Sequence, residues 1–243
     1  MIDILGITLS QLPPRRTLVT MVDDCFLMAW KERHRSVRDE KAACASLAGL
    51  LLLQAAGIRG TLAYDDTGRP YLNDREVDFN ITHTDRHAFC AVEYPPTETV
   101  MPEPPPSRDY PSKRVSKVNI KRMFAGQCRV GLDAENLSRL ASMRICPLAD
   151  RWFSLHEEDF FLSAPTDETF LRVWTRKEAL VKWLGGGLTQ LRQADTVTAQ
   201  SLYRVRFHEY RVENTVVSLC CHETSPAPHR IHMLTDTEFS LLV

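Results

Sequence analysis

Arg129-Val130-Gly131-Leu132-Asp133-Ala134-Glu135 reads as a strand. Val130 and Leu132 fall on one face and Asp133 and Glu135 on the other, because successive side chains of an extended chain alternate. Two carboxylates then face one small volume and repel each other unless a cation or a proton shares the space, which makes a hard divalent ion attractive there. After this strand come helical segments around Leu148–Leu162 and Asp167–Leu184, then strands near Tyr203–Glu209, Val216–Cys221 and Arg230–Leu234. Upstream the order is the same. Met1–Leu9 reads as a strand rather than a signal peptide, Val37–Ala56 as a helix stopped by Gly57, and Val77–Thr82 and His87–Val92 as strands flanking the polar connection Thr82–Arg86. Strand, helices, strands, twice over, predicts an α+β fold of two similar halves, although no residue-level repeat is visible. The expected division is an N-terminal half over 1–94, a linker or long loop over 95–128, and a C-terminal half over 129–243.

The linker is marked by proline. Seven of the 14 prolines fall between Pro95 and Pro111, a density that opposes helix and ladder alike. Directly after it, Lys113, Arg114, Lys117, Lys121 and Arg122 form a basic cluster, either a solvated face or a docking surface for an acidic partner.

Composition excludes several classes. With 30 basic against 31 acidic residues in 243 there is no global charge for nucleic-acid binding. The longest apolar run, Leu47–Ala56, is far shorter than a bilayer requires, so no membrane span is expected. Seven cysteines without a Cys-x-x-Cys pair read as core residues of a reducing compartment, hence a cytoplasmic protein. Eight histidines without a ligand ladder argue against structural zinc.

Two further constellations could carry chemistry. In Trp174-Thr175-Arg176-Lys177-Glu178-Ala179-Leu180-Val181-Lys182, Glu178 and Lys182 are one helical turn apart. Taken locally they read as a surface ion pair, followed by the helix stop Gly185-Gly186-Gly187. In Asn80-Ile81-Thr82-His83-Thr84, a histidine with flanking hydroxyls leaves an apolar strand, a pattern that suits either phosphate binding or an ordinary turn. Thr67-Gly68-Arg69-Pro70 is a turn whose arginine is either a surface charge or a phosphate fork.

Taken together, Gly68-Arg69-Pro70-Tyr71, Asn80–Thr84, Val130–Glu135 and Trp174–Lys182 closing in the glycine run occur in the order and spacing of the 4′-phosphopantetheinyl transferases. The sequence resembles the larger surfactin-synthetase-activator type, from about Lys31 to Leu188. The resemblance implies a two-half α+β pseudo-dimer. It also implies transfer of phosphopantetheine from coenzyme A to a serine of an apo acyl, peptidyl or aryl carrier protein, with release of adenosine 3′,5′-bisphosphate. Asp133, Glu135 and Glu178 would hold Mg²⁺, with Asp133 and Glu178 as direct ligands and Glu135 bound directly or through a water; Glu178, or a water it orients, would be the base for the serine, and Lys182 would neutralise the diphosphate. Thr82 and His83 would contact coenzyme A phosphates, and Gly68, Arg69 and Pro70 the adenine and 3′-phosphate end. Relatives place an arginine where Ala45 stands, so Lys41 or Arg38 would replace it. A monomer is expected. The competing expectation is a non-catalytic module that binds coenzyme A or a carrier protein.

Overall fold

The computed structural model of the protein describes residues 1–34, 39–73, 77–95, 129–141 and 143–241. The proline run beyond Pro95, the basic cluster at 113–122 and Arg38 lie outside them.

Two sheets form the centre. The first contains β1 (Ile2–Thr8), β4 (Asp78–His83), β5 (His87–Glu93) and β9 (His232–Met233) in the order β4-β5-β1-β9. β5 is buried at every residue and pairs antiparallel with β1 on one side and β4 on the other. The second contains β6 (Val130–Asn136), β7 (Val205–Val212) and β8 (Thr215–His222) in the order β6-β8-β7, again with antiparallel pairing throughout. In each sheet the first strand leads through helices to a hairpin, and the hairpin's second strand pairs back with the first.

The chain closes on the sheet where it began. β9 pairs parallel with β1 through Leu5 and His232, and Phe239 of α8 (Asp236–Ser240) enters the first half's core. The expected strand at Arg230–Leu234 therefore forms, but it extends the first sheet and not the second.

The helices follow their local signals. α3 (Glu40–Ala55) starts where the Asp39 side chain accepts the Ala42 N–H at 2.8 Å, three residues later than the apolar pattern suggested. Leu50–Leu53 are all buried, so this helix is covered nearly all round, by α1 (Arg15–Met21) and by the first sheet. The segment expected over Leu148–Leu162 is two helices, α4 (Ile145–Trp152) and α5 (Leu155–Ser163). They are separated because Ser154 and Glu157 form a capping box that starts a new helix. α6 (Asp167–Leu184) has the predicted bounds and ends at Gly185, whose φ of 72° suits glycine. Four short elements carried no strong sequence period: α2 (Asp24–Arg33), β2 (Leu62–Tyr64), β3 (Pro70–Leu72) and α7 (Thr196–Tyr203).

Hydrophobic burial occurs in three layers. Ile7, Leu47, Leu51 and Cys90 lie between α3 and the first sheet. Ile2, Ile4, Phe89, Leu132 and Leu219 lie between the two sheets. Leu180, Trp183, Phe161 and Phe170 lie under the second sheet's helices. The two sheets also meet edge to edge, where side chains of β4 take the place of a ladder: the Val130 N–H donates to Asp78 Oδ2 at 2.8 Å and the Leu132 N–H to Asn80 Oδ1 at 3.0 Å. This edge holds the start of β6 in position.

On its other face β6 runs against α6 at Gly131, where an added Cβ would stand 2.0 Å from the Ala179 carbonyl oxygen and 2.7 Å from the Trp183 nitrogen. Helix backbone cannot yield as a flexible side chain can. Gly131→Ala is therefore expected to cost about 2–3 kcal/mol, read as a lowered urea midpoint with an unchanged slope.

Candidate active site

The carboxylates of β6 and α6 converge as the sequence predicts. Asp133 is buried on β6, and its Oδ1 accepts from Lys182 Nζ at 2.7 Å and from the Thr82 hydroxyl at 3.4 Å. Lys182 Nζ also donates to the Leu132 carbonyl at 2.9 Å. The lysine therefore neutralises Asp133 across two elements, and the local reading of a surface Glu178–Lys182 pair gives way to this contact. Asp133 Oδ2 is buried without a hydrogen-bond partner among the described residues.

Glu178 lies beside Asp133, and its carboxyl is pushed up to about 8, first by burial and then by the Asp133 charge, with Lys182 opposing. Its proton is held more tightly in the folded chain than in the unfolded one. The stability this contributes is complete below the ordinary value of 4.5 and is lost as pH rises through about 8. Glu178→Gln removes that loss, so the variant's melting temperature is expected to gain about 2–4 °C on wild type between about pH 5 and pH 9 in chelator-treated protein. Parallel melting curves across that range would contradict the assignment.

Glu135 points toward the same region but has its own partner, Arg139, one turn further along the chain. Burial raises the Glu135 carboxyl, the Arg139 hydrogen bond opposes this, and the Asp133 charge adds to it. Among the described residues no three His, Cys, Asp or Glu side chains are grouped to hold a metal ion. Asp133 keeps one oxygen without a hydrogen-bond partner among the described residues, and the Glu178 carboxyl, raised first by burial and then by the Asp133 charge, would gain from a cation beside it, whereas Glu135 is engaged by a guanidinium.

The basic side of the site is built from the first half. His83 stands at the end of β4, with its ring held below the ordinary histidine range, first by desolvation and then by the Lys182 ammonium, with His34 acting in the same sense. His34 stacks on Trp30 with ring centroids 5.1 Å apart, and the Ser46 hydroxyl accepts from the Trp30 indole at 2.9 Å. Arg33 lies over the Tyr64 ring at 5.9 Å, beside a cavity of about 370 Å³ lined by Ala29, Glu32, Arg33, Leu62, Ala63 and Tyr64. Sequence reasoning missed Arg33 and His34. They end a helix without strong amphipathic periodicity, and no spacing rule links them to His83.

The remaining residues expected at coenzyme A are placed as follows. Arg69 is committed to protein: it donates to the Lys182 carbonyl, to Asp78 Oδ2 at 2.7 Å, to the Phe79 carbonyl at 3.1 Å and to the Val130 carbonyl at 2.8 Å. It thereby fastens the C-terminal end of α6 to both sheets. Gly68 takes φ +85° in the turn beneath the Arg33 guanidinium, and Pro70 opens β3. Lys41 is exposed on the first turn of α3, and none of the hydrogen bonds or ion pairs of the site uses it. Ala45 is buried.

Residues 129–231 match the model of the 4′-phosphopantetheinyl transferase superfamily. Over 139 residues the chain is 26% identical to the 4′-phosphopantetheinyl transferase HetI of Nostoc sp. (strain PCC 7120 / SAG 25.82 / UTEX 2576). That match covers 54% of this chain and 44% of the relative, so less than half of the relative's length is represented. Among the described residues no helix is long and apolar enough to cross a membrane.

Proposed function

We propose that the protein is a 4′-phosphopantetheinyl transferase of the surfactin-synthetase-activator type that uses Mg²⁺ and coenzyme A to modify a serine of an apo carrier protein in the cytoplasm. The observation that carries this reading is the meeting of Asp133 from β6 with Glu178 and Lys182 from α6, in an α+β chain whose residues 129–231 match the superfamily model.

In the reaction the serine oxygen bonds to the β-phosphorus of coenzyme A and the phosphoanhydride P–O bond breaks. Adenosine 3′,5′-bisphosphate leaves, and the serine proton passes to a base. Asp133 and Glu178 would hold Mg²⁺, which when bound supplies charge neutralisation to the diphosphate. Lys182, already seated on Asp133, places an ammonium where the leaving phosphate gains charge. Glu178, once ionised beside the bound cation, would accept the serine proton directly or through a water. Arg33 supplies a cation on the first-half side, and His83 and His34 offer ring N–H donors, suited to the remaining phosphates of coenzyme A. Arg69 acts on the reaction only by holding the end of α6.

A panel of apo carriers from fatty-acid, polyketide and peptide synthases, incubated with coenzyme A and Mg²⁺ and followed by intact mass, tests the reading. One phosphopantetheine of added mass on at least one carrier is expected. Tight coenzyme A binding with no mass gain on any carrier would favour a binding module instead.

A further inference from the structure

His87 is a buried titratable group that the proposed reaction does not use. It opens β5, is fully buried, and lies against the Phe89 ring with centroids 5.7 Å apart. Its Nδ1 stands 3.0 Å from Thr215 Oγ1 on β8, so the ring joins the first half to the second. Which nitrogen carries the proton follows from the neighbours. Asn136 Oδ1 accepts the Ser138 N–H at 2.9 Å, which turns its amide nitrogen to donate to Thr215 Oγ1 at 3.2 Å. With that hydroxyl accepting from Asn136, its own proton points to His87 Nδ1, and the neutral ring holds its proton on Nε2. Nε2 is buried without a hydrogen-bond partner among the described residues. Glu213 Oε2 stands 3.8 Å away, too far for a hydrogen bond but near enough to attract a charge.

Glu213 belongs to the two-residue turn between β7 and β8, and its backbone is left-handed, with φ +51°. Glycine or asparagine takes that conformation in a hairpin turn with less strain. The turn is fixed against the end of β6, where the Leu137 N–H donates to the Asn214 carbonyl at 2.9 Å. A strained glutamate in a fixed turn and an orphaned ring nitrogen under its carboxylate are independent observations that meet in one contact. The Glu213 side chain is 63% exposed, so it is free to close on the ring. The other charged groups that act on the ring are Arg86 and Asp85 of its own turn, which oppose each other, while Thr215 and Phe89 meet it as neutral groups.

We infer that His87 and Glu213 form a proton-operated clasp between the two halves. At neutral pH the uncharged ring is held by Thr215; in acid the imidazolium draws in the Glu213 carboxylate, and the Thr215 hydroxyl turns to accept from Nδ1. The clasp tightens the turn after His83 onto the β7–β8 hairpin, and it does not depend on the coenzyme A reading. Burial holds the His87 ring below its ordinary 6.5, and Glu213 opposes this. The fold therefore favours the neutral ring: the stability this contributes is complete above 6.5 and is lost as pH falls from there through the lowered value, a loss that Glu213 limits.

Histidine ring ¹⁵N spectra of the full chain between about pH 5 and pH 8, with His87 assigned through its own backbone, test the inference on wild type, Glu213→Gln and Glu213→Gly. The neutral His87 ring is expected to be protonated on Nε2, and Glu213→Gln to lower its titration midpoint by about half a unit. Melting temperatures of wild type and Glu213→Gln should separate as pH falls, wild type being the higher. Glu213→Gly should melt about 2–4 °C above Glu213→Gln at every pH, because only the backbone strain differs. A neutral ring protonated on Nδ1, or a midpoint that does not move in Glu213→Gln, would overturn the inference. So would a Glu213→Gly protein that melts no higher than Glu213→Gln, since the turn would then hold no strain for the contact to offset.

Discussion

Asp133→Ala is expected to slow phosphopantetheine transfer by about a thousandfold, the upper range for losing one preorganised electrostatic element. Asp133 is the hub of the site: it seats Lys182 at 2.7 Å, receives the Thr82 hydroxyl, keeps one oxygen without a partner, and helps to raise Glu178. Its removal unseats the ammonium and takes away one of the two carboxylates suited to a cation. It also lets the Glu178 carboxyl fall toward the value that burial alone would set, weakening it as a base. Asp133→Asn keeps the shape and loses the charge, so it should be nearly as slow. Initial rates of carrier mass gain read both variants. Transfer at the wild-type rate in either would remove Asp133, and the cluster around it, from the mechanism.

Lys177→Met is expected to destabilise the fold by about 3–5 kcal/mol, the cost of leaving one partner of a buried ion pair alone. That corresponds to a fall in melting temperature of about 6–20 °C for a chain of this size. Lys177 is fully buried, and its ammonium donates to Glu157 Oε2 at 2.6 Å and to the Ala194 carbonyl. Glu157 in turn accepts the Ser154 N–H and the Thr196 N–H, each at 2.8 Å. One carboxylate thus joins the start of α5, the middle of α6 and the start of α7. With lysine gone it remains buried and charged, with only amide donors. Adding Glu157→Gln to Lys177→Met should recover part of the loss, because a neutral amide no longer needs a cation. A melting temperature within about 2 °C of wild type in the single variant, by calorimetry, would show that the pair does not hold these helices.

The adjacent residues Lys177 and Glu178 show where local reading stops. Both occur in the same run of charges, and both are natural helix-surface residues. A turn of about 100° between neighbours sends one into the helix cluster and the other toward β6. Only the position of the surrounding helices distinguishes a structural ion pair from a reacting carboxyl. The same holds for Arg69, whose turn chemistry was legible but whose four acceptors come from segments distant in the chain: Lys182, Asp78, Phe79 and Val130.

The amino-acid order alone determined those features whose cause is local: the alternation that puts Asp133 and Glu135 on one face, the bounds of α6 with its glycine stop, and the α+β succession of elements. Short-range sterics and periodic burial act within a few residues, so a single chain can be read for them. Tertiary packing alone decided that Lys182 answers Asp133 and not Glu178, that Glu135 takes Arg139, that His34 stands near His83, and that the chain's end returns to β1. Each depends on a distance between segments far apart in sequence. Electrostatic partners are chosen by proximity in space, which no spacing along the chain records.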